Sequence, residues 1–385
     1  MRAALTIFAI WVAGLGAAGQ FGKMSVAYPV LEEVYSGHAG IGIGVMLSIV
    51  GTVGLIFGTT SGLLVARIGP KRAMLAALAL GAVVSAVQTA LPPYAVMLAS
   101  RVLEGFSHLA IVVVGPTAIA GLAGSRGQGA AMTLWSSFFG VAYAVLFWIG
   151  PQMMSLQGPA FLFATHAVWM AASAVILWVL LPDDPKVDPV KNRASIWNEH
   201  LAIYASPFHA APAMGFACYA VTYVAVLTLL PAQMGDMGGF IGVAMPLVSI
   251  AVSLTLGVWL LGRMQAVHLV QAGFSASIAA AFGLFAFWGD PTAVPFALAV
   301  AASLGIVQGA SFAALAELNP AVEDRAKGAG AIAQLGNLGT TTGTPLLVWA
   351  MQKAGGAGLC LFLFGFSALG IAIHVWQARR RRIIG

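Results

Sequence analysis

Charge is what this sequence lacks most. Of its 385 residues only 8% are charged, with 12 acids against 18 Lys and Arg. A soluble globular chain carries about 25%, so a soluble fold is excluded. Cysteine is nearly absent: Cys218 and Cys360 both fall within apolar runs and give no sign of a disulfide framework or a metal site. The seven histidines never stand at ligand spacing, and neither a metal nor any other cofactor is expected. HExxH, GxSxG and Walker-type loops are missing too, which argues against an enzyme and against ATP hydrolysis. A membrane-embedded enzyme remains the remote alternative, since it would need a nucleophile–base or metal constellation.

What the chain has in abundance is apolar residues, 60% of the total. They form twelve runs near the ~20 residues a spanning helix needs: 3–28, 40–66, 71–91, 93–121, 128–153, 158–181, 207–233, 237–262, 266–289, 291–318, 327–351 and 355–378. Continuous runs such as LAIVVVG do not alternate as barrel strands would, so each is read as a helix that satisfies its own backbone in lipid. The first run is long for a cleaved leader and ends at no clear cleavage site. It is therefore counted as a span.

The net charge of +6 does not indicate nucleic acid. With twelve spans, fifteen of the eighteen Lys and Arg fall on one side, the exceptions being Lys23, Arg101 and Lys353. That bias predicts a multi-pass inner-membrane protein with both termini cytoplasmic, its terminal RRRR resting on anionic lipid.

Residues 182–206 break the apolar rhythm with PDDPKVDP and a weakly amphipathic stretch carrying Ile196, Trp197, Leu201 and Tyr204. The expected organisation is an N-terminal six-helix bundle (1–181), a cytoplasmic linker (182–206) whose second half lies on the membrane surface, and a C-terminal six-helix bundle (207–385). RGQGAAMTLWSSFFG at 126–140 aligns without gaps on RAKGAGAIAQLGNLG at 325–339. A repeat of this kind predicts an all-α membrane fold of two bundles about a pseudo-two-fold axis, with a midplane site between them. Coincidence among glycine-rich helices is the alternative. Glycines every three or four residues, Gly51 to Gly62 in span two and Gly336 to Gly343 in span eleven, predict close helix approach.

The loop GLLVARIGPKRAM (62–74) and the span-four motif Arg101-Val-Leu-Glu104-Gly105 resemble the G-x-L-a-D-r-x-G-r-k loop and the R-x-x-[QE]-G motif of the major facilitator superfamily. In the loop, Gly62, Leu64, Arg67, Gly69 and Lys71 match, and Ala66 stands where the family has an acid. Span eleven, GAIAQLGNLGTTTGTP, is similar to that of the cyanate and nitroimidazole transporter branch. The resemblance implies two rocking bundles, often proton-driven, with Gly62, Arg67, Gly69 and Lys71 as a gating loop. The gate must then find its acid elsewhere. The span-five antiporter pattern is reduced to Gly150-Pro151, which leans away from drug export.

Arg101, Glu104 and His108 follow at i, i+3 and i+7 and share one face of span four. Ionisable groups inside a span mark a solute or proton path, a buried structural pair being the alternative. Glu104 and His108 are the candidate proton-coupling groups. Lys23, with Gln20 one turn earlier, either joins Arg101 in an anion site or snorkels to the outer interface. Trp135, Gln334, Asn337 and Tyr223 complete the candidate substrate contacts, each equally able to bond a neighbouring helix; His166 is read as packing. The expectation is a monomeric secondary transporter of a small anionic or polar solute, whose partners are that solute, protons and the lipid bilayer. Efflux of amphipathic drugs is the alternative within this fold.

Overall fold

The computed structural model describes residues 2–58, 61, 65, 68–184 and 196–384. Among them every regular element is helical: α1 (Arg2–Val34), α2 (Ile41–Ser48), α3 (Thr52–Phe57), α4 (Pro70–Gln88), α5 (Tyr94–Ser136), α6 (Phe138–Leu180), α7 (Ile196–Ala205), α8 (Ala210–Leu229), α9 (Gly238–Val252), α10 (Val258–Leu261), α11 (Ala266–Ala286), α12 (Ala293–Leu318) and α13 (Val322–Ile384). Nine helical stretches among the described residues are long and apolar enough to cross a membrane, and Ile41–Phe57 is a shorter apolar stretch.

Three of the longest helices are broken by glycine. Gly124, Gly158 and Gly355 adopt φ of +61°, +72° and +54°, a region that L side chains rarely enter. The breaks divide the 94–180 region at 124 and 158, and α13 at 355, so described helical segments overlie the apolar runs, the second run (40–66) being described continuously only as far as residue 58. Several boundaries differ from the sequence reading, α1 continuing to Val34 and α13 starting at Val322. Residues 125–136 are helical and continue almost directly into α6, because the polar SRGQG stretch contains no proline to stop them.

The chain packs as two compact units, Met1–Ala39 with Ile49–Lys191 and Gly40–Ser48 with Asn192–Gly385. In the first unit the small residues of α1 admit close neighbours. A Cβ added to Gly14 would lie 2.9 Å from Trp135 Cζ3, and one at Gly19 would lie 3.0 Å from His166 Cδ2. In the second unit α8 is buried along nearly its whole length and rests on the glycine row of span eleven. A Cβ at Gly339 would fall 2.7 Å from the Ala220 Cβ, and Gly343 abuts the Val221 carbonyl.

The amphipathic part of the linker folds as α7 onto the helices of the second unit. Ile203 is buried with Ala213, Leu315, Ala331 and Ile332, and Tyr204 packs against the same group. Leu201, expected on the apolar face, is instead 56% exposed. The side chains of Ile196 and Trp197 lie outside the described residues.

Candidate functional site

Four helices of the first unit converge on one buried polar cluster. Lys23 of α1 and Arg101 and Glu104 of α5 are all fully buried. The Lys23 ammonium has three N–H groups and three close acceptors: Glu104 Oε1 at 2.6 Å, Ser85 Oγ at 2.6 Å and Gln88 Oε1 at 2.7 Å. The other carboxylate oxygen, Glu104 Oε2, takes the Arg101 guanidinium, its i+3 neighbour, and the Gln88 amide at 3.1 Å. Gln88 also donates to Ser100 Oγ at 3.0 Å. Both ions of such a pair leave water at a cost of several kcal/mol, which is offset only when the remaining hydrogen-bonding capacity is filled. Here it is filled.

His166 of α6 closes the cluster from the far side. Its Nε2 lies 2.8 Å from the Gly16 carbonyl, which can only accept, so Nε2 carries the proton. Nδ1 is then free to accept from Ser85 Oγ at 2.7 Å, and Lys23 Nζ is 3.4 Å away. The imidazole is accordingly assigned as the neutral Nε2–H form. Lys23, Arg101 and Glu104 therefore leave the cluster a net charge of +1.

The first helix contributes main-chain acceptors as well as side chains. Its carbonyls at Val12, Gly16, Ala17 and Gln20 receive Trp169 Nε1 at 3.1 Å, His166 Nε2 at 2.8 Å, His108 Nδ1 at 3.0 Å and Arg101 Nη1 at 2.8 Å. The Gln20 side chain donates to Ser107 Oγ at 2.8 Å. Its oxygen is buried without a hydrogen-bond partner.

Several sequence expectations change on this geometry. Lys23 does not snorkel to an interface, since every polar contact it makes is internal. His166, read as packing, belongs to the cluster. His108 shares the Arg101–Glu104 face, but it bonds the Ala17 carbonyl and sits edge-on to Phe21 at 5.1 Å, beside the network rather than within it. Trp135 is buried in an apolar group with Ala9, Ala13, Met74 and Met170 and packs on Phe138 at 4.7 Å. Gln334, Asn337 and Tyr223 belong to the second unit. Gln334 Oε1 receives Tyr204 Oη at 2.7 Å and His200 Nε2 at 2.9 Å, so it anchors α7. Asn337 bonds back to the Ala333 carbonyl at 2.7 Å, and Tyr223 stacks on Tyr219 at 5.0 Å. Ser85, Gln88 and Ser100 were missed: serine and glutamine in a lone apolar run carry no signal without their partners.

Of the candidate gating residues, Gly62 and Arg67 lie outside the described residues; Gly69 and Lys71 meet an acid from elsewhere in the chain. Gly69, at φ +97°, leads into α4, and Asp184 lies where a side chain on Gly69 would project. Asp184 accepts the backbone N–H groups of Lys71 at 2.7 Å and Arg72 at 3.1 Å. A carboxylate thus caps the α4 N-terminus, where the helix dipole favours negative charge. The Lys71 ammonium adds bonds to the Leu181 carbonyl and Asp183 Oδ1, both at 2.9 Å. That bond and the lysine charge hold the Asp183 carboxyl below its ordinary range. In the second unit Glu317 serves α11 in the same way, accepting the Ala266 N–H at 2.8 Å. Asp184→Ala is expected to destabilise the protein by about 1–2 kcal/mol and Asp184→Asn by less. Melting of the purified variants checks this, and an unchanged Asp184→Ala midpoint would overturn the capping role.

The description "Major Facilitator Superfamily" fits residues 6–344. No curated protein sequence matches the chain. Among solved structures, a bacterial homologue of the human lysosomal transporter Spinster is similar in two states. Its inward-facing, unoccupied form matches with a TM-score of 0.74 at 14% identity, and its inward-facing, occupied form with 0.77 at 12%. Each match covers 98% of this chain and 97% of the other. At that identity the likeness speaks for the fold. With the family's pattern running through most of the sequence, the chain belongs to the Major Facilitator Superfamily and is a transporter, not an enzyme.

Proposed function

We propose that this protein is a secondary active transporter carrying a small anionic or polar organic solute across the inner membrane by alternating access, in symport with protons. The carrying observation is the Lys23–Glu104–Arg101 cluster: three ionised groups, fully buried, in an otherwise apolar helical unit. Charges in such a place are costly and typically belong to a solute or proton path. The surplus cation selects for an anion, and Glu104 is the one acid among them that can exchange a proton. Lys23, Arg101 and Gln20 are the solute contacts in this reading.

The protein acts as a monomer with both termini cytoplasmic, an orientation supported by the basic bias of the loops. Span eleven supports a place near the cyanate and nitroimidazole transporter branch. The test is uptake of radiolabelled organic anions by proteoliposomes with and without an inward proton gradient. Accumulation that needs the gradient is the expected result. Gradient-independent equilibration alone would overturn proton coupling, and export of cationic amphipathic drugs would favour the efflux reading.

A further inference from the structure

The bonds made by Glu104 describe a receptor as well as a salt bridge. One carboxylate oxygen is held by an ammonium, the other by a guanidinium and an amide N–H. The donors come from α1, α4 and α5, and they carry two positive charges for a single carboxylate. That is a built site for a planar, singly charged, two-oxygen anion, filled in this state by the protein's own side chain.

We propose that Glu104 is the resident stand-in for the substrate, and that the substrate is a small monocarboxylate that displaces it. The inference rests on the transport reading above and names its substrate class. Glu104 accepts a proton from the aqueous side and becomes the neutral acid. It then releases Lys23 and Arg101, and the solute carboxylate takes their N–H groups. No covalent bond other than the new O–H is made or broken. The cluster holds +1 before the exchange, and again after it, with two cations and one solute anion. A dianion would require a second proton, and an organic cation would meet two positive charges.

The remaining groups around Glu104 do not supply a competing charge. From α1 come Lys23 and Gln20; from α4, Ser85 and Gln88; from α5, Ser100, Arg101, Ser107 and His108; and from α6, His166, whose Nδ1 faces the Lys23 ammonium at 3.4 Å, a place that disfavours a second ring proton. Uptake of one proton with one monoanion is therefore the balance this site imposes.

The test is binding of acetate, butyrate and benzoate to the purified full-length protein, with phosphate, sulfate and choline as comparisons. In weakly buffered solution, each bound monocarboxylate should take up one proton, and affinity should fall about tenfold per unit rise in pH, as one-proton linkage requires. Glu104→Gln should bind the same acids with affinity independent of pH. Should that variant not fold, the wild-type slope and proton count decide alone. Binding without proton uptake, preference for phosphate, sulfate or choline, or no binding of any of the three acids overturns the proposal. Proton-coupled accumulation of a different solute class overturns the substrate assignment and leaves the transport reading standing. One-to-one proton and carboxylate binding without transport in proteoliposomes does the reverse.

Discussion

Glu104→Gln protein in proteoliposomes should show no proton-driven accumulation, yet it should still exchange solute across the bilayer in counterflow. The amide resembles the protonated carboxylic acid in size and shape, so the variant is held in the proton-loaded condition. It can bind and release solute but cannot take energy from a gradient. The competing view makes Glu104 purely a structural mate of its two cations, and then accumulation and counterflow should fall together. Both assays on one purified preparation separate the cases. Undiminished gradient-driven uptake would remove Glu104 from the coupling step.

Charge counting within the cluster predicts an unequal response to substitution. Lys23→Gln leaves Arg101 paired with Glu104, and Arg101→Gln leaves Lys23 paired with Glu104; each variant has a neutral cluster. Both should fold and should bind monocarboxylates at least tenfold more weakly. Glu104→Gln instead leaves two buried cations without a counterion, and breaking a buried pair in this way costs about 3–5 kcal/mol. Its melting point should be the lowest of the three, and the double variant Lys23→Gln with Glu104→Gln should recover much of the loss. If the double variant melts below Glu104→Gln, the cluster is not governed by its net charge. If Lys23→Gln and Arg101→Gln both bind normally, the cations are not the anion site.

The spans were legible in the sequence because lipid leaves a backbone few choices, and a long apolar run in such a chain is read as a helix. The break at Gly124 falls between two runs, and those at Gly158 and Gly355 fall on the first residue of one. Lys23, Arg101 and Glu104 stood out because a charge in an apolar run is rare enough to be noticed singly. What completes them did not. Ser85, Gln88 and His166 are ordinary in a membrane helix, and they acquire meaning only when tertiary packing brings α4, α5 and α6 around one ammonium, at 2.6–2.7 Å for Ser85, Gln88 and Glu104 and 3.4 Å for His166. Gln334 has partners that were equally hidden. It looked like a solute contact because it is polar in an apolar run, but the α7 donors His200 and Tyr204 reach it through folding of a segment over a hundred residues away in sequence. Asp184 was similarly hidden: PDDP reads as a linker until the α4 N-terminus is found against it.

The main-chain carbonyls of α1 bear on how this protein can be dissected. Trp169, His166, His108 and Arg101 are all anchored to peptide oxygens, which no side-chain replacement in α1 removes. An alanine scan along that helix would find many positions silent and would understate its part in the site. Gly16 is an exception, since a Cβ there would lie 2.6 Å from Met170 Sδ, and so is Gln20, whose side chain bonds Ser107. The information about this contact is written in the residues that reach toward α1, and that is where genetic screens should report it.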